Sequence, residues 1–559
     1  MLTRSFFRFP LIAPRVSLAG GAPGLLLLAA AAVAAPPKVA QLFPAGGKAG
    51  ETVTARITGK LDAWPPGLDV LGDGLDVRPT EKKGELVIRI DADASPGVRW
   101  IRVHDAEGAA APRPFCVGTL PEEVEKEPND VPAQAQEVAA AGQTVNGRLE
   151  RAGDVDCYRV KLEQGATLVA AIQAAERLGS PMDGVLQILT RDGFVLDQND
   201  DEGGFDPRLV FQAPAGAEYC LRVFAFPSEP NSTIAFAGGE AYVYRLDVTT
   251  SGYVERAEPL AARAHATAPV RLRGSILAKD ATAAVTCETT VLPGWAEAFQ
   301  RGVAGSAILK ILPCEVFLEP SDPFGELVPA LQPPFAVSAA FESPGDADVW
   351  SVRGKPGQRV KLAAESRRFG LPADAMLIVT GADGKLLGEA DDAGNNRDPE
   401  QIVTLPADGV CSVTVRELLG RGGPRFAYLL TGMVPEPDFA LTVAADSFVL
   451  DGDKPIELTV GVDRRESFRD EIEVEVTGLP PGLEAPRVKC PGEGDASRQV
   501  KLSIARGAHA DGWRGPIGVA GKSLGAQTLL REARAPLSGG HASTARLWLT
   551  VIARAAPKP

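Results

Sequence analysis

Histidine is scarce in this chain. Only four occur in 559 residues, His104, His265, His509 and His541, each in a different stretch and with no HExxH spacing, so a histidine-based metalloenzyme is excluded. All four are expected at the surface. No GxSxG elbow, no Walker loop and no GxGxxG opening a helix occurs, which removes the α/β-hydrolase, P-loop and dinucleotide-binding readings. The seven cysteines (Cys116, Cys157, Cys220, Cys287, Cys314, Cys411, Cys490) form no CxxC and no zinc-ligand spacing. Being odd in number, they leave at least one thiol unpaired. A Cys157–Cys220 bridge and a set of buried free thiols are both open readings. Basic charge is also short, with 58 Lys and Arg against 72 Asp and Glu and a net charge of −14. Such a chain does not neutralise phosphates, so nucleic acid is excluded as a partner. Beyond the first 35 residues no run approaches 18 uninterrupted apolar residues, and nothing there spans a membrane as a helix. Helical hydrophobic periodicity is missing too.

Strand alternation and turn residues fill the space. Residues 1–35 read as an export signal: Arg4, Arg8 and Arg15 precede Leu25-Leu26-Leu27-Leu28, and Ala32-Val33-Ala34 offers a cleavage site. The expected location is therefore secreted, periplasmic or cell-surface. Val53 to Gly59, Leu86 to Ile90 and Arg99 to Val103 alternate apolar and polar residues over 36–120. Asp156 to Leu162, Thr167 to Ile172, Arg208 to Phe211 and Glu218 to Phe224 do the same over 121–251, with Asp192-Gly193 as a hairpin turn. A shorter β unit over 252–318 follows, in which Pro269 to Gly274 echoes Val53 to Gly59. Residues 319–436 and 437–559 complete the series. The expected fold is all-β, a tandem of antiparallel β-sandwich modules.

Two polar turns concentrate the acidic charge. Glu125, Glu127, Asn129 and Asp130 lie in the first, and Asp154 and Asp156 in the second. Together they offer six side-chain oxygen donors on backbone that bends, which is what a hard divalent cation such as calcium requires. Pro128 pushes Glu127 toward extended backbone and so fans the acids out. The same residues also fit solvated acidic turns bonded to their own backbone. The pattern then returns. Pro320 stands to Asp346 as Pro128 stands to Asp154, Asp374 answers Asp183, Asp383-Gly384 answers Asp192-Gly193, Asp391-Asp392 answers Asp200-Asp201, Asp398-Pro399 answers Asp206-Pro207, and Cys411 answers Cys220. Offsets of 191 or 192 throughout identify an internal duplication. In this alignment Ser321 replaces Asn129 and Phe317 replaces Glu125. The pairs Asp154/Asp156 and Asp200/Asp201 sit in Gly-rich turns expected to be wet, which argues against a raised pKa and acid–base work. The chain is expected to be non-catalytic.

Glu127-Pro128-Asn129-Asp130, Gly147, Gly153-Asp154-Val155-Asp156, Gly179-Ser180-Pro181-Met182-Asp183, Asn199-Asp200-Asp201 and Asp206-Pro207 together resemble the bacterial pre-peptidase C-terminal (PPC) domain. The resemblance implies a jelly-roll-like β-sandwich over 121–251 and a second, degenerate copy over 319–436. It implies calcium ligands at Glu125, Glu127, Asn129, Asp130, Asp154 and Asp156. Glu319, Asp322, Asp346 and Asp348 are the candidates for a weaker site in the second copy. Residues 36–120 are similar to TIG-type immunoglobulin-like modules in Phe43-Pro44-Ala45-Gly46-Gly47 and Thr58-Gly59, and 437–559 is similar to immunoglobulin-like modules. The expected function is an exported, non-catalytic binding or surface protein with calcium in the first PPC-like module. An accessory protein of an extracellular peptidase and a polysaccharide-binding protein are the alternatives, so the expected partners are extracellular protein or polysaccharide.

Overall fold

The computed structural model describes residues 35–201, 204–227, 235–287, 294–320, 330–394, 396–507, 512–538 and 542–554. The leader expected over 1–35 (up to residue 34), Asp322, His509 and His541 lie outside them. Residues 36–559 form one compact unit, and its described parts are β-sandwich modules in chain order. Among the described residues no helix is long and apolar enough to cross a membrane.

Alternation in the sequence becomes sheet because every second side chain enters a shared core. In the first module, Ala55 and Ile57 on the strand Thr52–Lys60 meet Leu86, Ile88 and Ile90 on Glu85–Ile90, while Ile101, Val103, Phe115 and Val117 face them from the opposite sheet. Each sheet has four strands.

The second module stacks two five-stranded sheets. One runs Gln136–Glu137, Asp156–Leu162, Ala217–Pro227, Met182–Thr190, Val195–Asn199; the other runs Arg208–Gln212, Thr167–Gln173, Val243–Thr249, Gln143–Arg148, Glu122–Val124. Tyr158, Val160, Leu221, Val223, Leu246 and Val248 lie between them. The fourth module repeats this sandwich with one sheet of five strands and one of four, around Trp350, Val352, Val413, Val415, Tyr428 and Leu430. The short strand Val316–Leu318 pairs with Phe335–Ala340 inside the fourth module's sheet, so it belongs to that module although it precedes the boundary expected at residue 319.

The third module shares a construction detail with the first. Lys38–Phe43 pairs with Thr52–Lys60 through a bulge between Val39 and Gln41; Tyr253–Glu258 pairs with Thr267–Ser275 through a bulge between Val254 and Arg256. In both, a glycine meets the bulge. A Cβ on Gly59 would lie 2.0 Å from the Lys38 carbonyl oxygen, and one on Gly274 would lie 2.0 Å from that of Tyr253. The fifth module builds an eleven-stranded sheet, eight strands in one continuous path and three branching from it, around Phe439, Leu458, Val460, Leu502 and Leu549.

Candidate metal centre

Two turns close on each other at one end of the second sandwich. Glu125 follows the short strand Glu122–Val124, and its N–H donates to the Asn146 carbonyl at 3.0 Å. The N–H of Cys157, just inside the strand Asp156–Leu162, donates to the Asn129 carbonyl at 3.0 Å. These two bonds bring the first acidic turn against the start of that strand. Carboxylate oxygens of Glu127, Asp154 and Asp156 then lie within 4.8 Å of one another. Asn129, Asp154 and Asp156 are 0 % exposed, and the exposed Glu127 closes the front.

One oxygen of each buried acid is held from behind. Asp154 Oδ2 accepts from the Glu150 N–H at 2.5 Å, and Asp156 Oδ2 accepts from the Tyr244 hydroxyl at 2.5 Å. Tyr244 in turn sits 2.5 Å from the Tyr158 hydroxyl. Gly147 makes this possible: a Cβ there would fall 2.2 Å from Tyr244 Cζ, so only glycine lets the ring cross that strand to reach Asp156. Glu127 Oε2 accepts from the Asn129 N–H at 2.9 Å.

The remaining oxygens are left facing inward. Asp154 Oδ1 and Asp130 Oδ1 are buried without a hydrogen-bond partner, which is costly unless something else compensates. Arg151 is the neighbouring cation, 3.1 Å from Asp130 Oδ2 and 3.5 Å from Asp154 Oδ1, and it is 62 % exposed. The Asn129 side chain aims one terminus of its amide at the gap, 3.3 Å from Glu127 Oε2 and 3.2 Å from Asp156 Oδ1. With nitrogen in that place the amide donates to both carboxylates. With oxygen there, three acceptors converge, an arrangement that is stable around a cation. Ligands at 2.3–2.6 Å in a shell of six to eight oxygens have neighbours about 3 Å apart, so the spacing suits that geometry.

Without a cation the carboxyls resist ionisation. Burial, with the charge of Asp156 next, pushes Glu125 up to about 10. Burial also raises Glu127, Asp154 and Asp156, the last well above the usual carboxylate range. Asp154 and Asp156 are therefore sealed, against the expectation that these turns are wet.

The six sequence candidates take different places. Glu127, Asn129, Asp154 and Asp156 converge. Glu125 lies behind them, with its Oε2 accepting from the Arg148 N–H at 2.8 Å. Asp130 flanks Asp154 and is tied to Arg151. Sequence reasoning missed Tyr158, Tyr244 and Arg151. Tyr244 and its counterpart Tyr428 stand 184 residues apart, outside the 191–192 offsets, so only the structure pairs them.

In the fourth module Asp346 Oδ2 accepts from the Glu342 N–H at 2.8 Å and Asp348 Oδ2 from the Tyr428 hydroxyl at 2.6 Å, matching Asp154 and Asp156. Glu319 departs from its expected position. Its N–H donates to the Ser338 carbonyl and its Oε2 accepts from the Ala340 N–H at 3.0 Å, as Glu125 does with Asn146 and Arg148. Glu319 therefore occupies the Glu125 place, and Phe317 does not; a local shift of two residues separates this turn from the rest of the duplication. Glu319 and Asp348 share a hydrogen bond, and burial followed by the Asp348 charge raises Glu319 to about 8. Asp322 falls outside the described residues.

Other repeated acids have local duties. Asp206 accepts from the N–H groups of Ala174, Ala175 and Glu176, and Asp398 from those of Ser366, Arg367 and Arg368. Asp200, Asp201, Asp391 and Asp392 are exposed. His104 departs from the surface position expected of it: it is 9 % exposed, with its ring 4.3 Å from that of Trp548.

No protein-family model matches the chain, and no curated protein matches it. Among solved structures it is similar to trypsin-activated alpha-2-macroglobulin from Escherichia coli, at 10% identity and a TM-score of 0.16, over 92% of this chain and 49% of that one. The chain thus spans about half the length of that relative. It is also similar to the M60 catalytic domain with two CBM51 domains of Clostridium perfringens ZmpB (8% identity, TM-score 0.14, 70% of this chain and 54% of that one). A third likeness is to Bacteroides ovatus SGBP-B in complex with a mixed-linkage heptasaccharide (8% identity, TM-score 0.13, 70% and 73%).

Proposed function

We propose that this chain is an exported, non-catalytic, multi-module binding or surface protein whose second module, PPC-like in sequence, holds a calcium ion. Glu127, Asn129, Asp154 and Asp156 would hold the ion, with Asp130 beside them and Glu125 behind. Bound there, calcium supplies charge that offsets the buried carboxylates and ties the segment entering the module to the strand Asp156–Leu162. The observation that carries the reading is the meeting of Glu127, Asp154 and Asp156 carboxylate oxygens within 4.8 Å of one another, the two aspartates fully buried and only the exposed Arg151 beside Asp154 Oδ1.

Calorimetric titration of the full chain with calcium chloride tests it. The wild type is expected to bind one ion in the second module and to melt higher, by about 2.7 kcal/mol of stabilisation at a hundredfold excess over Kd. Asp156→Asn is expected to lose both effects while keeping its partner Tyr244. Absence of heat and of any melting shift in the wild type would sink the calcium reading.

A further inference from the structure

We propose that Cys157 and Cys220 join in a disulfide that staples the strand Asp156–Leu162 to the strand Ala217–Pro227 behind the acidic turns. The register carries the argument. Cys157 lies opposite Arg222, and Arg159 lies opposite Cys220. Residues opposite one another share a face, and so do residues two apart on one strand. Both cysteines therefore project from the outer face, on one diagonal of adjacent antiparallel strands. They pack together under Ala135, Leu189 and Val155. Their exposures are 0 % and 3 %, and in the structure both are buried free thiols.

The fourth module supplies an independent observation. There Val349 lies opposite Thr414, and Ser351 opposite Ser412. The core positions Val223 and Val415 fix the correspondence, since each lies opposite the second acid of its turn, Asp156 or Asp348. Val349 thus answers Cys157, and Ser412 answers Cys220. Cys411, which a linear count matches to Cys220, points instead into the core and answers Tyr219. Both cysteines of the pair are absent from the other copy together, as partners in one bond would be. The other five cysteines are spread over different packing groups: Cys116 beside Leu178 and Val243, Cys287 and Cys314 in separate clusters, and Cys411 and Cys490 in the cores of the last two modules.

The chemistry is thiol–disulfide exchange with a disulfide oxidant such as oxidised glutathione. One cysteine thiolate attacks the oxidant and releases one thiol; the second attacks the mixed disulfide and releases the other. Two protons and two electrons leave the protein, and the oxidant is reduced to two thiols. Cys157 follows Asp156 and bonds the Asn129 carbonyl, so the staple holds the backbone of both residues, whether or not a cation is present.

The test is non-reducing peptide mapping of the full chain after equilibration with oxidised and reduced glutathione, denaturation and alkylation. A joined pair of peptides carrying Cys157 and Cys220 is expected, with five thiols alkylated, seven less the two bridged. Dithiothreitol is expected to release the pair and lower the melting temperature. The double variant Cys157→Val, Cys220→Ser, which installs what the fourth module carries, is expected to fold and to lose that sensitivity to reductant. Seven alkylated thiols in the oxidised sample, or a bridge between other cysteines, would overturn the proposal.

Discussion

Glu319 lies beside Asp348, whose Oδ2 accepts from the Tyr428 hydroxyl, and the neighbouring carboxyls give the fourth module an expected pH dependence. The Glu319 carboxyl is raised to about 8 by burial and by its neighbour. A carboxyl raised on folding favours the folded state most fully below its unfolded value of 4.5, and that contribution disappears as pH rises through about 8. We expect the melting temperature to fall between about pH 5 and 9 by an amount that Glu319→Gln removes, since the amide keeps a hydrogen bond to Asp348 without ionising. Thermal scans across that window check it; an unchanged slope in the variant would refute the assignment. At this scale Glu127, Asn129, Asp154 and Asp156 were readable because oxygen donors cluster within short turns. Glu319 was misplaced because a count along the chain does not register a two-residue shift. Tyr244 was unreadable because its only link to Asp156 crosses from one sheet to the other.

Period-two alternation identified the strands, and the structure keeps nearly all of them. Alternation tells which face a residue takes, and that is why Val53 to Gly59 and Pro269 to Gly274 read as kindred strands. It does not tell which strand lies alongside. The bulges opposite Gly59 and Gly274 settle that locally, since each glycine lies where a Cβ would strike a carbonyl oxygen. At Gly59 the backbone adds a φ of +130°, which side chains other than hydrogen rarely tolerate. Gly59→Ala is expected to cost about 1–3 kcal/mol, read as a lower urea midpoint, and Gly274→Ala to move the midpoint the same way. Unchanged midpoints in both would show that the bulges relax freely.

Across the whole molecule the first and last modules touch. Arg102 is 0 % exposed, 3.0 Å from Asp446 Oδ2 and bonded to the Asp446 carbonyl at 3.0 Å. Asp69 lies 3.9 Å from Arg102 and 2.7 Å from Arg546, and the Trp548 ring sits under the Arg102 guanidinium. Removing one partner of a buried ion pair leaves the other charge desolvated. Arg102→Ala is therefore expected to lose about 3–5 kcal/mol, seen as a lower-melting transition of the first and fifth modules and as faster proteolysis between them. The calcium response of the second module should persist in this variant. A single unshifted transition would show that the two modules do not depend on each other.

What the sequence determined alone is local. Alternating side chains commit a segment to sheet because one face must leave water, and acids spaced within a bending turn commit it to a concentrated negative charge. What only the tertiary structure decided is which distant segments meet: Tyr244 over Gly147 onto Asp156, Cys157 beside Cys220, and Arg102 against Asp446, 344 residues away. Such meetings follow from sheet register and module packing, whose energies come from surfaces that are not contiguous in the chain.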